Sequence, residues 1–207
     1  MKIMNEHVIK LGVCIPYLNN SKTAEELFLK LEKELDRQKK ENNLDNVYIF
    51  IIEDKFEVGH SALRNIMMEY FIKHKFQYIL FIDADDFIDP DYLTQMYETC
   101  KMLYDTPYNV IESTFAIRND IRSFEATLKN HVCGVCYKSS LIGDTRFDEN
   151  LQIGEDTQFN RELSKKPYKK FWLNTTYHYN YGMNRECLTY RYSRGEILPE
   201  RVVLWSK

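Results

Sequence analysis

Tyr78-Ile79-Leu80-Phe81-Ile82 runs straight into Asp83-Ala84-Asp85-Asp86, and the reading of this stretch decides the fold. An unbroken apolar run of this length fits a strand buried on both faces, as in a sheet covered by helices on two sides. Its carboxyl end is where such sheets bind ligands. Three aspartates within four residues repel one another and raise each other's pKa. Lys75 upstream and Lys101 downstream are the nearest basic residues in sequence, so a divalent cation is the natural neutraliser. Hard carboxylate oxygens suit Mn2+ or Mg2+, held through one or two carboxylates plus substrate phosphates. Strand alternation sends Asp83 and Asp85 to one side and Asp86 to the other. The plainer alternative is a solvated acidic turn.

Outward from this stretch, apolar strands alternate with amphipathic helices. Residues 8–15 form a short apolar strand ending at Pro16. Thr23 and Glu26 pair as a capping box opening a helix with Leu27, Phe28, Leu31 and Leu35 on its buried side. Residues 47–52 form a second strand, ending in Glu53-Asp54. The next helix begins near His60 and carries Ala62, Leu63, Ile66, Met67, Tyr70 and Phe71 on one face. After the acidic cluster, Asp89 is the expected cap of a helix whose first residue is Pro90, with Leu93, Met96, Tyr97, Cys100 and Leu103 inward. Residues 108–117, 132–138 and 170–179 read as further strands, and 156–164 as a short helix. The pattern predicts an α/β fold, a Rossmann-like, mostly parallel central sheet flanked by helices. Asn19, Glu53, Asp54 and the acidic cluster then converge at strand ends.

Composition narrows the classes. The 207 residues are 44% hydrophobic and 29% charged, enough for one sizeable core. A net charge of −3 advertises no global affinity for nucleic acid or an anionic membrane. The longest apolar runs, 47–52 and 78–82, fall far short of the roughly 18 residues that span a bilayer. Lys10 interrupts the N-terminal apolar stretch, which makes a poor signal peptide. Five cysteines without a framework fit reduced thiols. The expectation is a cytoplasmic protein, free or peripheral to a membrane. Cys133 and Cys136 form a lone CxxC that reads as core strand residues rather than a zinc site. Fifteen tyrosines and two tryptophans supply candidate stacking surfaces, none assignable from sequence.

Six motifs stand in order: Val13-Cys14-Ile15-Pro16, Ile52-Glu53-Asp54, Gly59-His60-Ser61-Ala62-Leu63-Arg64-Asn65, Phe81-Ile82-Asp83-Ala84-Asp85-Asp86, Arg146-Phe147-Asp148-Glu149 and Gly154-Glu155-Asp156-Thr157-Gln158-Phe159. In this order and spacing the chain resembles the inverting family-2 glycosyltransferases of GT-A fold, from about residue 11 to 181. The resemblance implies a catalytic domain over 1–181, with a nucleotide-binding half (1–105) and an acceptor-side half (106–181), followed by a flap or tail (182–207).

It also implies a metal-dependent inverting transfer from a nucleotide-sugar donor, a UDP-sugar first among them. By that resemblance Pro16 and Asn19 lie in the first donor loop, Asp54 contacts the base, and Arg64 lies near the base or diphosphate. Asp83 and Asp85 sit at the donor, with Asp85 on the ribose. Asp86, together with Asp85 and with His178 as a third ligand, binds Mn2+ or Mg2+. Glu155 borders the donor and Asp156 is the general base, kept ionised by a helix N-terminus. Arg185, Arg191 and Arg194 are candidates for diphosphate contact. Two departures stand out: Pro16-Tyr17-Leu18-Asn19-Asn20 carries one residue more than the usual first loop, and Asp54-Lys55-Phe56 replaces Asp-Gly-Ser.

Read without the family, Glu155 and Asp156 are equally good as helix caps. A sugar-phosphate nucleotidyltransferase is disfavoured because no Gly-rich loop with a lysine follows the first strand. A catalytically silent binding module is disfavoured because Asp85, Asp86 and Asp156 are all present. The acceptor stays open among glycan, lipid-linked sugar, protein and nucleic-acid base.

Overall fold

The computed structural model describes residues 8–118, 123–125 and 131–180. Among them an eight-stranded sheet has the order β2-β1-β3-β7-β5-β8-β4, with β6 (Ser123–Glu125) pairing off β5. β1 (Leu11–Tyr17) lies between β2 (Val47–Glu53) and β3 (Tyr78–Phe81), parallel to both. All of β1 and β3 is buried, as continuous apolar runs require. Beyond β3 the directions mix. β7 (Val135–Lys138) runs antiparallel to β3 and β5 (Val110–Arg118), while β8 (Lys170–Asn180) is parallel to β5 and carries β4 (Phe87–Ile88) antiparallel on its other side. The parallel character therefore belongs to β2-β1-β3 and recurs at β5-β8.

α1 (Lys22–Glu41) buries Leu27, Leu31 and Leu35, as its periodicity predicts, with Phe28 partly buried. Its cap differs from expectation: Ser21, not Thr23, is the N-cap, and its hydroxyl accepts from Ala24 N at 3.1 Å. α2 (His60–Lys73) packs Phe71 against Gly12, where a Cβ would lie 2.6 Å from the ring. Its buried face is turned from the expected one. Arg64, Asn65 and Met68 are inward, whereas Ile66 and Tyr70 are 51% and 45% exposed. Burial of the two polar residues is made possible by partners described below.

Asp89 does not cap the third helix. α3 spans Tyr92–Leu103 with Asp91 at its N-cap position, and the Leu93 N–H is taken by the buried Gln38 Oε1 of α1 at 2.8 Å. The Asp89 carboxylate faces β8 instead, accepting from Thr176 N at 2.7 Å. The expected inward stripe of α3 is otherwise buried in full. Cys14, Cys100, Cys133 and Cys136 are free thiols in the core.

Candidate active site

Charged side chains from separate elements meet just past the end of β3. α2 supplies Arg64, the turn after β3 supplies Asp83, and α5 (Glu155–Leu163), which follows the short α4 (Ser139–Ile142), opens with Glu155 and Asp156. α5 is anchored by Phe159, stacked on Phe147 with centroids 4.1 Å apart and edge-on to Phe81. Asn65 fixes the same region by donating to the Phe147 carbonyl at 3.0 Å and accepting from its N–H at 2.9 Å.

Arg64 is the hub. Its Nη2 lies 2.7 Å from Asp83 Oδ1, and its Nη1 lies 3.0 Å from Asp156 Oδ1 and 3.2 Å from Glu155 Oε1. The side chain is only 3% exposed, so these pairs sit in a medium where charge interactions are strong and a lost partner is costly. Cys133 Sγ and the Phe147 ring complete its surroundings. One guanidinium cannot neutralise three carboxylates, and the imbalance appears in their protonation. Burial pushes Asp156 up to about 7; Arg64 opposes this, while Glu155 and Asp83 add to it. Burial also pushes Glu155 upward, but His60, 2.7 Å away, and Arg64 outweigh it and hold Glu155 at about 2. Asp156 is thus not simply ionised by its helix terminus, as the sequence reading expects. It titrates near neutrality, with its second oxygen accepting from Val132 N at 3.1 Å and 21% of the side chain open to solvent.

The acidic turn is gripped by the end of β8. The buried Asp86 accepts from the Tyr177 hydroxyl and, at 2.8 Å, from Asn180 N. The same Tyr177 oxygen accepts from Asp83 N at 3.0 Å, and the Asn180 amide donates to the Asp85 carbonyl at 2.9 Å. Tyr177 reaches this position across Gly134, whose φ is +74° and where a Cβ would lie 2.6 Å from the tyrosine. Each Asp86 oxygen therefore accepts one hydrogen bond within the protein and keeps a lone pair for a further partner. His178 likewise meets Asp89 Oδ1 at 2.8 Å.

The other expected donor residues lie at the ends of β1 and β2. Pro16 is buried in β1 opposite Ile52, beyond the end of β3, and Asn19 is exposed in the loop after β1. Asp54 accepts from Val58 N at 2.9 Å and Gly59 N at 2.8 Å, which organises the entry to α2. Arg185, Arg191 and Arg194 lie outside the described residues. Tyr177, Asn180 and the Val132 amide belong to the candidate site without any signal in the sequence, and His60, though inside the Gly59–Asn65 motif, has no role readable there. A tyrosine or asparagine in a strand looks like any other, and a backbone amide has no side chain to read.

Among the described residues no three His, Cys, Asp or Glu side chains gather as a cation cage. The donor set fits a divalent ion only in the partial form that relies on substrate phosphates. Asp85, at the turn and partly exposed, suits that form.

No protein-family model matches the chain, and no curated protein matches its sequence. Solved structures do match in fold. S. aureus TarS 1-349 in complex with UDP-GlcNAc superposes with a TM-score of 0.61 at 14% identity, covering 84% of this chain and 59% of that one. The same protein in complex with UDP gives 0.60 at 16% identity, covering 83% and 60%. The mannosyltransferase PcManGT from Pyrobaculum calidifontis, in complex with GDP-Man and Mn2+, gives 0.56 at 12% identity, covering 89% and 60%. At these identities the likeness speaks for the fold, and the chain spans about 60% of the length of those proteins. The chain has the GT-A-type fold of these glycosyltransferases.

Proposed function

We propose that this chain is an inverting, metal-dependent glycosyltransferase that takes its sugar from a nucleotide-diphosphate donor, a UDP-sugar first among them. The observation that carries this is Asp156: a partly open carboxyl at a helix start, joined through Arg64 to the acidic turn, with its pKa raised to about 7. A general base works best with its pKa near the operating pH. The fold shared with proteins bound to UDP-GlcNAc and GDP-Man supports the donor class.

In this reading residues up to 105 form the nucleotide half and 106–181 the acceptor half. The acceptor hydroxyl approaches Asp156, which takes its proton as the oxygen bonds to the anomeric carbon and the nucleoside diphosphate leaves with the bonding pair. Arg64 holds Asp156 and Asp83 in fixed relation rather than contacting phosphate, because both terminal nitrogens already meet protein partners. Asp54, Pro16 and Asn19 border the base and ribose. Asp85, the more open carboxylate of the Asp86, Asp85 and His178 set, would be the principal residue holding Mn2+ or Mg2+ with the diphosphate; the cation, when bound, would offset charge on the leaving group.

The test is incubation with UDP-glucose, UDP-GlcNAc, UDP-galactose and GDP-mannose, each with Mn2+ or Mg2+. Release of nucleoside diphosphate is expected, and chelation should stop it. Failure to bind or turn over any donor with either metal would sink the proposal, and pyrophosphate release in a separate incubation with UTP or GTP and a sugar 1-phosphate would indicate nucleotidyl transfer instead.

A further inference from the structure

A polar and aromatic strip leads away from Asp156 along the β5–β8 part of the sheet. Val132 N holds Asp156, and the neighbouring His131 places its Nε2 4.0 Å from Glu112 Oε1 on β5. Glu112 is buried and takes the Lys170 ammonium at 2.5 Å. Lys170 in turn stands 5.7 Å from the ring centres of both Tyr168 and Trp172. Trp172 is the direct β5–β8 partner of Glu112, and Lys170 lies two residues from it on the same side of the strand. That side is the one α5 covers nearer the cluster. Tyr137 donates to Asn160, one turn after Asp156, and the charges of both Asp156 and Glu112 reach its phenol.

Trp172 is nevertheless 60% exposed. An exposed tryptophan face leaves apolar area that a stacked ligand can cover. Glu112 and Lys170 neutralise each other, so the strip attracts neither polyanion nor polycation. It offers a flat ring beside fixed donors and acceptors, which is the chemistry that recognises a sugar ring: C–H groups on the aromatic face and hydroxyls on the polar edge.

We propose that Trp172, with Lys170 and Glu112 beside it, is an acceptor subsite for an uncharged oligosaccharide whose reacting end lies at Asp156. The acceptor is then a glycan longer than one sugar, a choice that rests on the glycosyltransferase reading above. Trp172 touches substrate by stacking, and Lys170, held in place by the buried Glu112, bonds its hydroxyls.

The chain has two tryptophans, so Trp205→Phe leaves Trp172 as the sole emitter. Malto-, cello-, chito- and mannohexaose are titrated into that protein while tryptophan emission is followed. Saturable quenching or a blue shift is expected with at least one of them. In a Trp172→Ala protein, retained binding of that sugar by calorimetry at unchanged affinity would overturn the proposal, as would a flat emission response to the whole panel. With the bound sugar as acceptor, Trp172→Ala should raise its KM about tenfold and leave donor hydrolysis without acceptor within about twofold. An unchanged KM also overturns it. If no donor is hydrolysed by any form of the protein, the glycosyltransferase reading fails; the emission titration needs no donor and decides the subsite by itself.

Discussion

Arg64 Nη1 stands 3.0 Å from Asp156 Oδ1, and the two residues are 92 positions apart in sequence. This pair ties the helix after β2 to the helix carrying the proposed base, and most of the site's behaviour follows from it.

Replacing Arg64 with alanine strands Asp83, Glu155 and Asp156 around an uncompensated space. Removing one partner of a buried ion pair costs about 3–5 kcal/mol, so Arg64→Ala should lower the urea midpoint and the Tm markedly. Arg64→Lys should recover only part of the loss, because a single ammonium cannot fork toward three carboxylates. Equal stability of the two variants and the native protein, measured by urea unfolding, would contradict the hub.

Asp156 should set the pH profile. Its carboxyl must be ionised to accept a proton, and burial holds its pKa at about 7. kcat/KM should therefore rise with pH, reach half-maximum at about pH 7 and level off above it. Asp156→Asn should keep donor affinity and lose roughly 10²–10⁴-fold in transfer. The stability effect has the opposite sense. The native carboxyl binds its proton more tightly than the unfolded one, so its ionisation between about pH 4 and 7 counts against the native state. Stability of Asp156→Asn should then fall less than that of the native protein over this window.

Asp85 and Asp86 should separate cleanly. Asp86 is buried and accepts two hydrogen bonds from β8, and leaving such donors unpaired costs about 1–3 kcal/mol each. Asp86→Ala should therefore lower the Tm well beyond Asp85→Ala. Asp85→Ala should instead abolish the Mn2+ dependence of nucleotide binding, read by calorimetry with and without chelator. A reversed pattern would return the metal to Asp86.

Asn65→Ala removes both side-chain bonds to Phe147. A loss of about 2–4 kcal/mol is expected, together with lower turnover, because the stacked Phe147 and Phe159 locate α5. Turnover unchanged alongside the lost stability would disconnect that packing from the site.

Structure is legible in the sequence where local pattern suffices. β1 and β3 are apolar runs buried as runs, and the inward residues of α1 and α3 recur at helical spacing. It is not legible where a distant partner overrides the local rule. Asp89 before Pro90 has the form of a helix cap, but Thr176 and His178 compete for its carboxylate and win. The buried face of α2 is not legible because Arg64 and Asn65 are polar, and only their remote carboxylate and backbone partners allow them inside. The acidic turn was legible as a candidate site. The inward commitment of Asp86 was not, since it depends on Tyr177 and Asn180.

The clasp of β8 on the acidic turn also orders events during synthesis. Asn180 bonds Asp86 across 94 positions, and a ribosome adding about 5–20 residues per second needs roughly 5–20 s to cover that distance. Through that interval the turn has been made but its clasp has not, and Asp86 stays hydrated. The acidic turn is therefore among the last parts to set, and a nascent chain stopped before Tyr177 would carry the aspartates without the geometry that orders them.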